Sequence, residues 1–333
     1  MGQRYAYNIL DVRKRRVRRW VWALAAVPLA LGFIPGLPHP VLQILLWWNP
    51  IPPRAEIPQP KDEVERVLVL APHPDDEILG AGGAIVNFLR QGHQVLVVFI
   101  TNGDANTASK RFFTWNPLHK PEDYRAIGYL RMQEAGRAME ILGVPWDHVL
   151  FLGYPDRGLW SLLTTYWEKP FRSPYTRMDY PFYRNSFNPE AVYTGLSLLQ
   201  DLCAILEAFR PTIVYCPHPE DAHPDHRATA LFFDKALEKT GLSPEIRYYL
   251  VHGQRWPTPL RLIPDAELPA PQYLAERWQW RSQALEEEVV QIKLAALRAY
   301  SSQRVTNGRF LAAFVRQNEL YALNLFGGDA QDK

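Results

Sequence analysis

The sequence predicts an α/β fold: a three-layer, Rossmann-like, mostly parallel sheet with helices on both faces, plus an N-terminal membrane-anchor helix. Three observations support it. From Val64 onward, short Val/Ile/Leu-rich runs alternate with longer stretches of helical period, the pattern of strands buried on both faces. Charge collects just past the ends of these runs, where open α/β sheets place their crevices. Near the N-terminus, a block of arginines precedes a long apolar stretch.

The N-terminal segment, residues 1–48, reads as a basic tail and signal anchor. Arg13, Lys14, Arg15, Arg16, Arg18 and Arg19 precede a run from Trp20 to Trp48 in which only His39 can carry charge. About 20 apolar residues cross a bilayer, and arginine flanks stay on the cytoplasmic side. The expectation is a single-pass, N-in membrane protein with its catalytic domain outside the cytoplasm. Pro28, Pro35, Pro38 and Pro40 interrupt the run and break its second half into an interfacial or re-entrant piece, whose tryptophans suit the headgroup level. No small-x-small site follows the apolar core, which argues against cleavage, and Ala6 breaks the myristoylation pattern. Residues 49–63 are proline-rich and polar and read as an extended tether.

The third segment, 64–333, is the folded domain. "RVLVLAP" reads as a buried strand, Glu77 to Arg90 as a helix, and "QVLVVFITNGD" as a second strand. "YRAIGYLRMQEAGRAMEILGV" has apolar residues at helical spacing and a stop at Gly143. "HVLFLGYPD" is a third strand, "AVYTGLSLLQDLCAILEAF" a helix, "TIVYCPHPED" a fourth strand and "DHRATALFFDKALEK" another helix. "ALEEEVVQIKLAALRAY" returns to the core as a late helix. The aromatic segment from Trp160 to Pro189 has no clear period and reads as a lid or wall whose rings stack on a ligand. Net charge is +2 with the basic excess at the N-terminus, so no nucleic-acid partner is expected. Cys203 and Cys216 lie inside apolar runs and read as buried free thiols.

Two strand ends carry the chemistry. "HPDDE" places His73, Asp75, Asp76 and Glu77 after the first strand, and "PHPEDAHPDHRAT" places His218, Glu220, Asp221, His223, Asp225 and His226 after the fourth. His73 and Asp76 sit three apart across a strand-to-helix turn and His226 opens a helix, so imidazole, carboxylate and imidazole can converge. Two histidines and one carboxylate with an open position is a catalytic zinc pattern. His218 and Asp221 read as partners of the metal-bound imidazoles, and Glu77 as a helix cap. His39, His93, His119, His148 and His252 stand alone and read as structural.

The paired motifs, with "TNGDA", "LGYPDRGL" and "YSSQ" between and after them, resemble the PIG-L/LmbE family of zinc-dependent N-acetylglucosaminyl deacetylases over about Val64 to Gln303. The resemblance implies that His73, Asp76 and His226 bind Zn2+ and that Asp75 is the general base. It implies His223 as general acid or stabiliser of the tetrahedral intermediate, with Asp225 orienting it, and Arg131 and Asp156 on sugar hydroxyls. Arg157 departs from the small residue usual after "PD". Amide hydrolysis fits these types independently: zinc lowers the pKa of water to about 7, and a neighbouring carboxylate accepts its proton. A magnesium phosphoesterase is disfavoured by the two histidines. A non-catalytic glycan-binding protein is disfavoured because no ligand and no base is missing. A tether raises the effective concentration toward membrane-bound substrates, so the expected partner is an acetylated amino sugar that is lipid-linked or part of an envelope glycan.

Overall fold

The computed structural model describes residues 37–48, 50–115 and 118–324. A seven-stranded sheet runs in the order β3-β2-β1-β4-β5-β7-β6. Its strands are β1 (Arg66–Ala71), β2 (Gln94–Thr101), β3 (Val149–Tyr154), β4 (Ile213–Pro217), β5 (Glu245–Tyr249), β6 (Trp278–Ala284) and β7 (Asn318–Asn324). The first five are parallel, while β7 pairs antiparallel with β5 and β6 antiparallel with β7. The helices are α1 (Pro40–Trp47), α2 (Asp76–Arg90), α3 (Thr107–Thr114), α4 (Pro121–Leu142), α5 (Leu159–Thr164), α6 (Gly195–Phe209), α7 (Pro224–Thr240), α8 (Glu287–Ala299) and α9 (Ser301–Ala312).

Side-chain alternation sorts the core into two layers. Val67, Val69 and Ala71 of β1 face one layer with residues of α2, α4 and α8, while Leu68 and Leu70 face the other with α6 and α7. A strand so enclosed has no polar face, which is why its sequence reads as an unbroken apolar run. Gly143 ends α4 at φ 85°, the left-handed position that favours glycine. The chain leaves β1 toward β2 and later returns to place β4 on the other side of β1. The carboxyl ends of β1 and β4 therefore flank the topological switch point, and both charged motifs sit there.

Three strands escape the sequence reading. β5 is short, and β6 is a half-exposed edge strand with tryptophans and polar residues in alternation. The anchor expectation falls largely on residues 1–36, outside the described residues. Among the described residues no helix is long and apolar enough to cross a membrane. Its described end is an eight-residue helix, α1, which begins at Pro40 and packs on α4. The segment expected as a tether lies against the domain: Ala55 is buried, Arg54 donates to the Phe187 carbonyl at 2.8 Å, and the Gln94 amide donates to the Gln59 carbonyl at 2.9 Å.

A buried ion pair fastens the late elements to α2. Lys293 of α8 donates to Glu319 Oε1 of β7 at 2.6 Å, with the side chains 1% and 3% exposed. Glu319 also accepts from the backbone N–H groups of Gly83 and Ala84 at 2.7 and 2.8 Å. Removing one member of a buried pair strands the other charge. Lys293→Met is therefore expected to lower stability by about 3–5 kcal/mol in urea unfolding. Adding Glu319→Gln removes the stranded charge and should recover part of that loss; strictly additive losses would refute the coupling.

Candidate functional site

The turn after β1 sets the geometry. The Asp76 N–H donates to the His73 carbonyl at 3.2 Å, and Asp76 Oδ2 folds back to accept from the His73 N–H at 2.9 Å. Asp75, between them, has φ 118°, a left-handed value that a non-glycine residue adopts only under strain. That flip parts the side chains of the two neighbouring aspartates, Asp76 turning to His73 and His226 and Asp75 to Arg131. The Asp75 N–H is held by Glu77 Oε2 at 3.0 Å, and Tyr300 donates to the other Glu77 oxygen at 2.5 Å, so Glu77 is not the cap of α2 but braces Asp75, which occupies that position.

His73, Asp76 and His226 come together at the floor. Asp76 Oδ2 lies 3.1 Å from His73 Nδ1 and 3.1 Å from His226 Nε2. Both ring nitrogens of His226 are buried and off the line of a hydrogen bond to the carboxylates beside them, Nε2 to Asp76 and Nδ1 to Asp221. The far nitrogens face other carboxylates. His226 Nδ1 is 3.2 Å from Asp221 Oδ2, and His73 Nε2 is 3.2 Å from Asp225 Oδ2 and 3.3 Å from Asp156 Oδ1. Carboxylates behind imidazoles are the usual orienting partners of metal-ligating histidines. Three overlapping donor sets, His73/His223/His226, Asp76/His226/His252 and His73/Asp156/Asp225, also cluster within 4.8 Å. A cation suits this group, and the nitrogen donors favour zinc over magnesium.

The electrostatics agree. For His73, burial is outweighed by Asp156, Asp225 and Asp76, which hold its pKa well above the ordinary value. For His226, burial is likewise outweighed by Asp76 and Asp221, which push it up to about 10. Asp76 is held well below the usual carboxylate range because His226 and His73 overcome its burial. Asp75 behaves oppositely: burial pushes it up to about 7 against the pull of Arg131, whose Nη2 lies 3.5 Å away. His223 is lowered by burial and by the charges of His73, His226 and His252.

Several expected roles change. Asp225 does not orient His223 with its carboxylate, which accepts from the N–H groups of Arg157 at 2.7 Å and Leu159 at 3.1 Å and faces His73. It is the Asp225 backbone N–H that reaches His223 Nδ1, at 3.2 Å, because His223 is the cap of α7. Arg131 and Asp156 line the cleft, but their polar atoms also brace it: Arg131 donates to the carbonyls of Gly103 at 3.0 Å and Pro74 at 2.5 Å, and Asp156 accepts from the Ala105 N–H at 2.8 Å. Asp221 lies 3.2 Å behind His226 at Nδ1, whereas His218 stands away from the donor set with its ring against Trp278 and Trp280.

The cleft above this floor measures about 270 Å³. Its walls are Asn106 to Ala108, Arg157, His223, the loop after β5 with Val251 and His252, and α9 with Gln303, Asn307, Phe310 and Leu311. The segment 160–189 contributes no lining residue. It packs against the sheet instead, with the Phe187 N–H on the Phe151 carbonyl at 2.8 Å and Tyr183 fully buried. His252, read as structural, lies in the cleft: its ring is 4.8 Å from His226 and stacks on Phe310 at 5.6 Å. Asn307, Phe310 and Leu311 were missed because α9 kinks at Asn307, which blurs its period. A larger hollow of about 430 Å³ behind α9 has no imidazole or carboxylate in its lining.

Residues 68–237 match the family model described as PIG-L, GlcNAc-PI de-N-acetylase. The chain is 25% identical over 251 residues to a diacetylchitobiose deacetylase of Thermococcus kodakarensis, covering 74% of this chain and 73% of that protein. It is 30% identical over 178 residues to a 1D-myo-inositol 2-acetamido-2-deoxy-alpha-D-glucopyranoside deacetylase of a Mycobacterium species (strain KMS), covering 53% of this chain and 51% of that one. Among solved structures, the N,N'-diacetylchitobiose deacetylase of Pyrococcus horikoshii aligns with TM-score 0.46 and 20% identity over 85% of this chain and 90% of that one.

Asp221 meets the three front donors only through the back of His226, its other partners being the backbone N–H groups of His223, Val251 and His252, which makes it a test of the orienting carboxylates. Asp221→Asn is expected to weaken zinc binding by about 10- to 100-fold in a competition titration while leaving all three front donors in place. Unchanged zinc affinity would show that the ring needs no such support.

Proposed function

The chain belongs to the PIG-L family, and from that premise we propose that it is a zinc-dependent hydrolase that removes the acetyl group from an N-acetylglucosamine-type sugar. The observation that carries this reading is the floor geometry: His73 Nδ1, Asp76 Oδ2 and His226 Nε2 converge, with the far nitrogen of each ring facing carboxylates. These three residues would hold the ion. Zinc bound there supplies acidification of water to a pKa of about 7 and polarisation of a carbonyl.

The chain's own residues supply the rest. Asp75 accepts a proton from the attacking water as the oxygen bonds to the acetyl carbon. Its carboxyl, pushed up to about 7, then returns the proton to the nitrogen as the C–N bond breaks, giving acetate and a free amine. Arg131 fixes Asp75 and the turn carbonyl of Pro74. His223 accepts the Asp225 N–H at Nδ1, so a neutral ring carries its hydrogen on Nε2. Its burial favours the neutral ring, which suits hydrogen-bond donation to the developing oxyanion.

The finer reading adds the substrate's carrier and the location. A glycolipid or envelope glycan, and an N-in arrangement with the domain outside the cytoplasm, are supported by the arginine block ahead of the uncharged run from Trp20.

Acetate release from a panel of N-acetylglucosamine conjugates, with and without a lipid tail, tests the reaction. Chelation should abolish it and zinc restore it; full activity after complete metal removal would overturn the mechanism. Asp75→Asn is expected to retain zinc and lose activity by about 100-fold or more, since the amide cannot accept the proton. His223→Ala should also keep zinc and lower kcat by about 100- to 1000-fold, the cost of one oxyanion donor. If Asp75→Asn sheds its zinc, the aspartate is a ligand and not the base.

A further inference from the structure

We infer that the corner of the surface built by α1 and the end of α3 docks on a lipid bilayer and holds the cleft within a short linker's reach of the headgroups. The corner is well fastened to the domain. Leu42 of α1 is fully buried with Ala126, Ile127 and Leu130 of α4, and Leu45, Leu46 and Phe113 pack around them. The His39 N–H donates to Asp123 at 2.7 Å and the Gln133 amide to the Leu46 carbonyl at 3.0 Å, fixing both ends of α1.

Outside that small core the two helices leave their largest apolar side chains in the open. Leu37, Ile44, Trp47 and Trp48 are exposed on and beside α1, and Phe112, Trp115 and Leu118 at the end of α3; Trp47 is 81% exposed and Trp115 83%. Trp47 and Trp48 stack on each other at 5.6 Å. Such a concentration of exposed rings marks an interaction surface. Tryptophan suits the bilayer boundary, with its ring at the edge of the hydrocarbon and its N–H among headgroups.

The chain that leads into this corner selects a membrane over a second copy as the occupant. From Trp20 to Trp48 no Asp, Glu, Lys or Arg occurs, and the block from Arg13 to Arg19 precedes it. That stretch enters the described structure at Leu37, itself exposed, three residues before α1. Basic residues followed by apolar ones complement anionic headgroups over a hydrocarbon layer. The corner is also close to the chemistry. Asn106, Thr107 and Ala108 at the start of α3 line the cleft, and Trp115 follows eight residues later, about 12 Å along the helix. A headgroup layer is roughly 5–8 Å deep, so with Trp115 at the hydrocarbon edge the cleft rim stands no more than about 4–7 Å beyond the headgroups, within reach of a sugar on a short linker.

The test uses the full chain reconstituted in vesicles of phosphatidylcholine and phosphatidylglycerol. Trp47→Cys and Trp115→Cys carry an environment-sensitive nitrobenzoxadiazole label, with Leu231→Cys on α7 as the control; the native Cys203 and Cys216 are buried. Lipids bearing a shallow nitroxide should quench the labels at 47 and 115 and spare the one at 231. Labels at 47 and 115 as water-exposed as the control would show that only the preceding segment meets the membrane. Cross-linking between copies through 47 or 115 in lipid-free detergent would make the corner a dimer interface; either result overturns the proposal. A second arm rests on the proposed deacetylation. Trp47→Ser with Trp115→Ser should raise KM for a vesicle-embedded acetamido sugar roughly tenfold and leave kcat on a water-soluble one unchanged. A wild type inactive on both sugars would sink the deacetylase reading while the quenching result still decides the docking.

Discussion

Buried carboxylates at the carboxyl end of the sheet hold the crevice together, because each one faces an imidazole on one side and backbone N–H groups of another loop on the other. Asp221, after β4, takes the N–H groups of Val251 and His252 after β5 and backs His226. Asp225, at the start of α7, takes those of Arg157 and Leu159 after β3 and backs His73. Asp156, after β3, takes Ala105 after β2. The loops of all five parallel strands are thereby linked through the same charges that shape the floor. Burying an ionised carboxylate costs several kcal/mol, and charge-assisted bonds to backbone donors and protonated or metal-bound imidazoles offset it.

This arrangement explains why the catalytic turn tolerates strain. A left-handed Asp75 costs of order 1–3 kcal/mol and persists because its surroundings leave it no alternative. Glu77 holds its N–H, Ile78 and Leu79 draw on its carbonyl, and Arg131 pairs with its carboxylate. Tyr300 and Glu134, the latter bonded to Ser301 and Ser302, tie the start of α9 to the same turn and to α4. The wall of the cleft and its base are thus one rigid unit, set by contacts far apart in sequence.

What could be read in the sequence follows from the range of the interactions involved. The parallel strands before residue 218, and the two motif loops, were legible because strand burial and motif spacing are local signals. Gly143 marked its helix end through its own backbone freedom. Roles that depend on register across the sheet were not legible. Nothing in "HPDH" says that the Asp225 carboxylate turns to His73 while its N–H holds His223. His252 has no neighbouring motif, and only the pairing of β5 with β4 brings it beside His226. The half-exposed β6 and the kinked α9 have weak periods because each meets the domain through only part of its surface.

The same distinction separates reaction from specificity. On the floor, Asp76, Asp156, Asp221, Asp225, His73 and His226 are all committed to one another or to backbone donors, so a change in any of them disturbs the scaffold with the chemistry. Discrimination among acetamido sugars therefore falls to the walls. Phe310 offers a ring face already ordered by His252. Arg157, at φ 61° with its guanidinium 5.9 Å from the Tyr175 ring, stands where a small side chain would leave the rim open. These wall side chains can vary with little cost to the carboxylate framework, because none of them supplies a carboxylate to it.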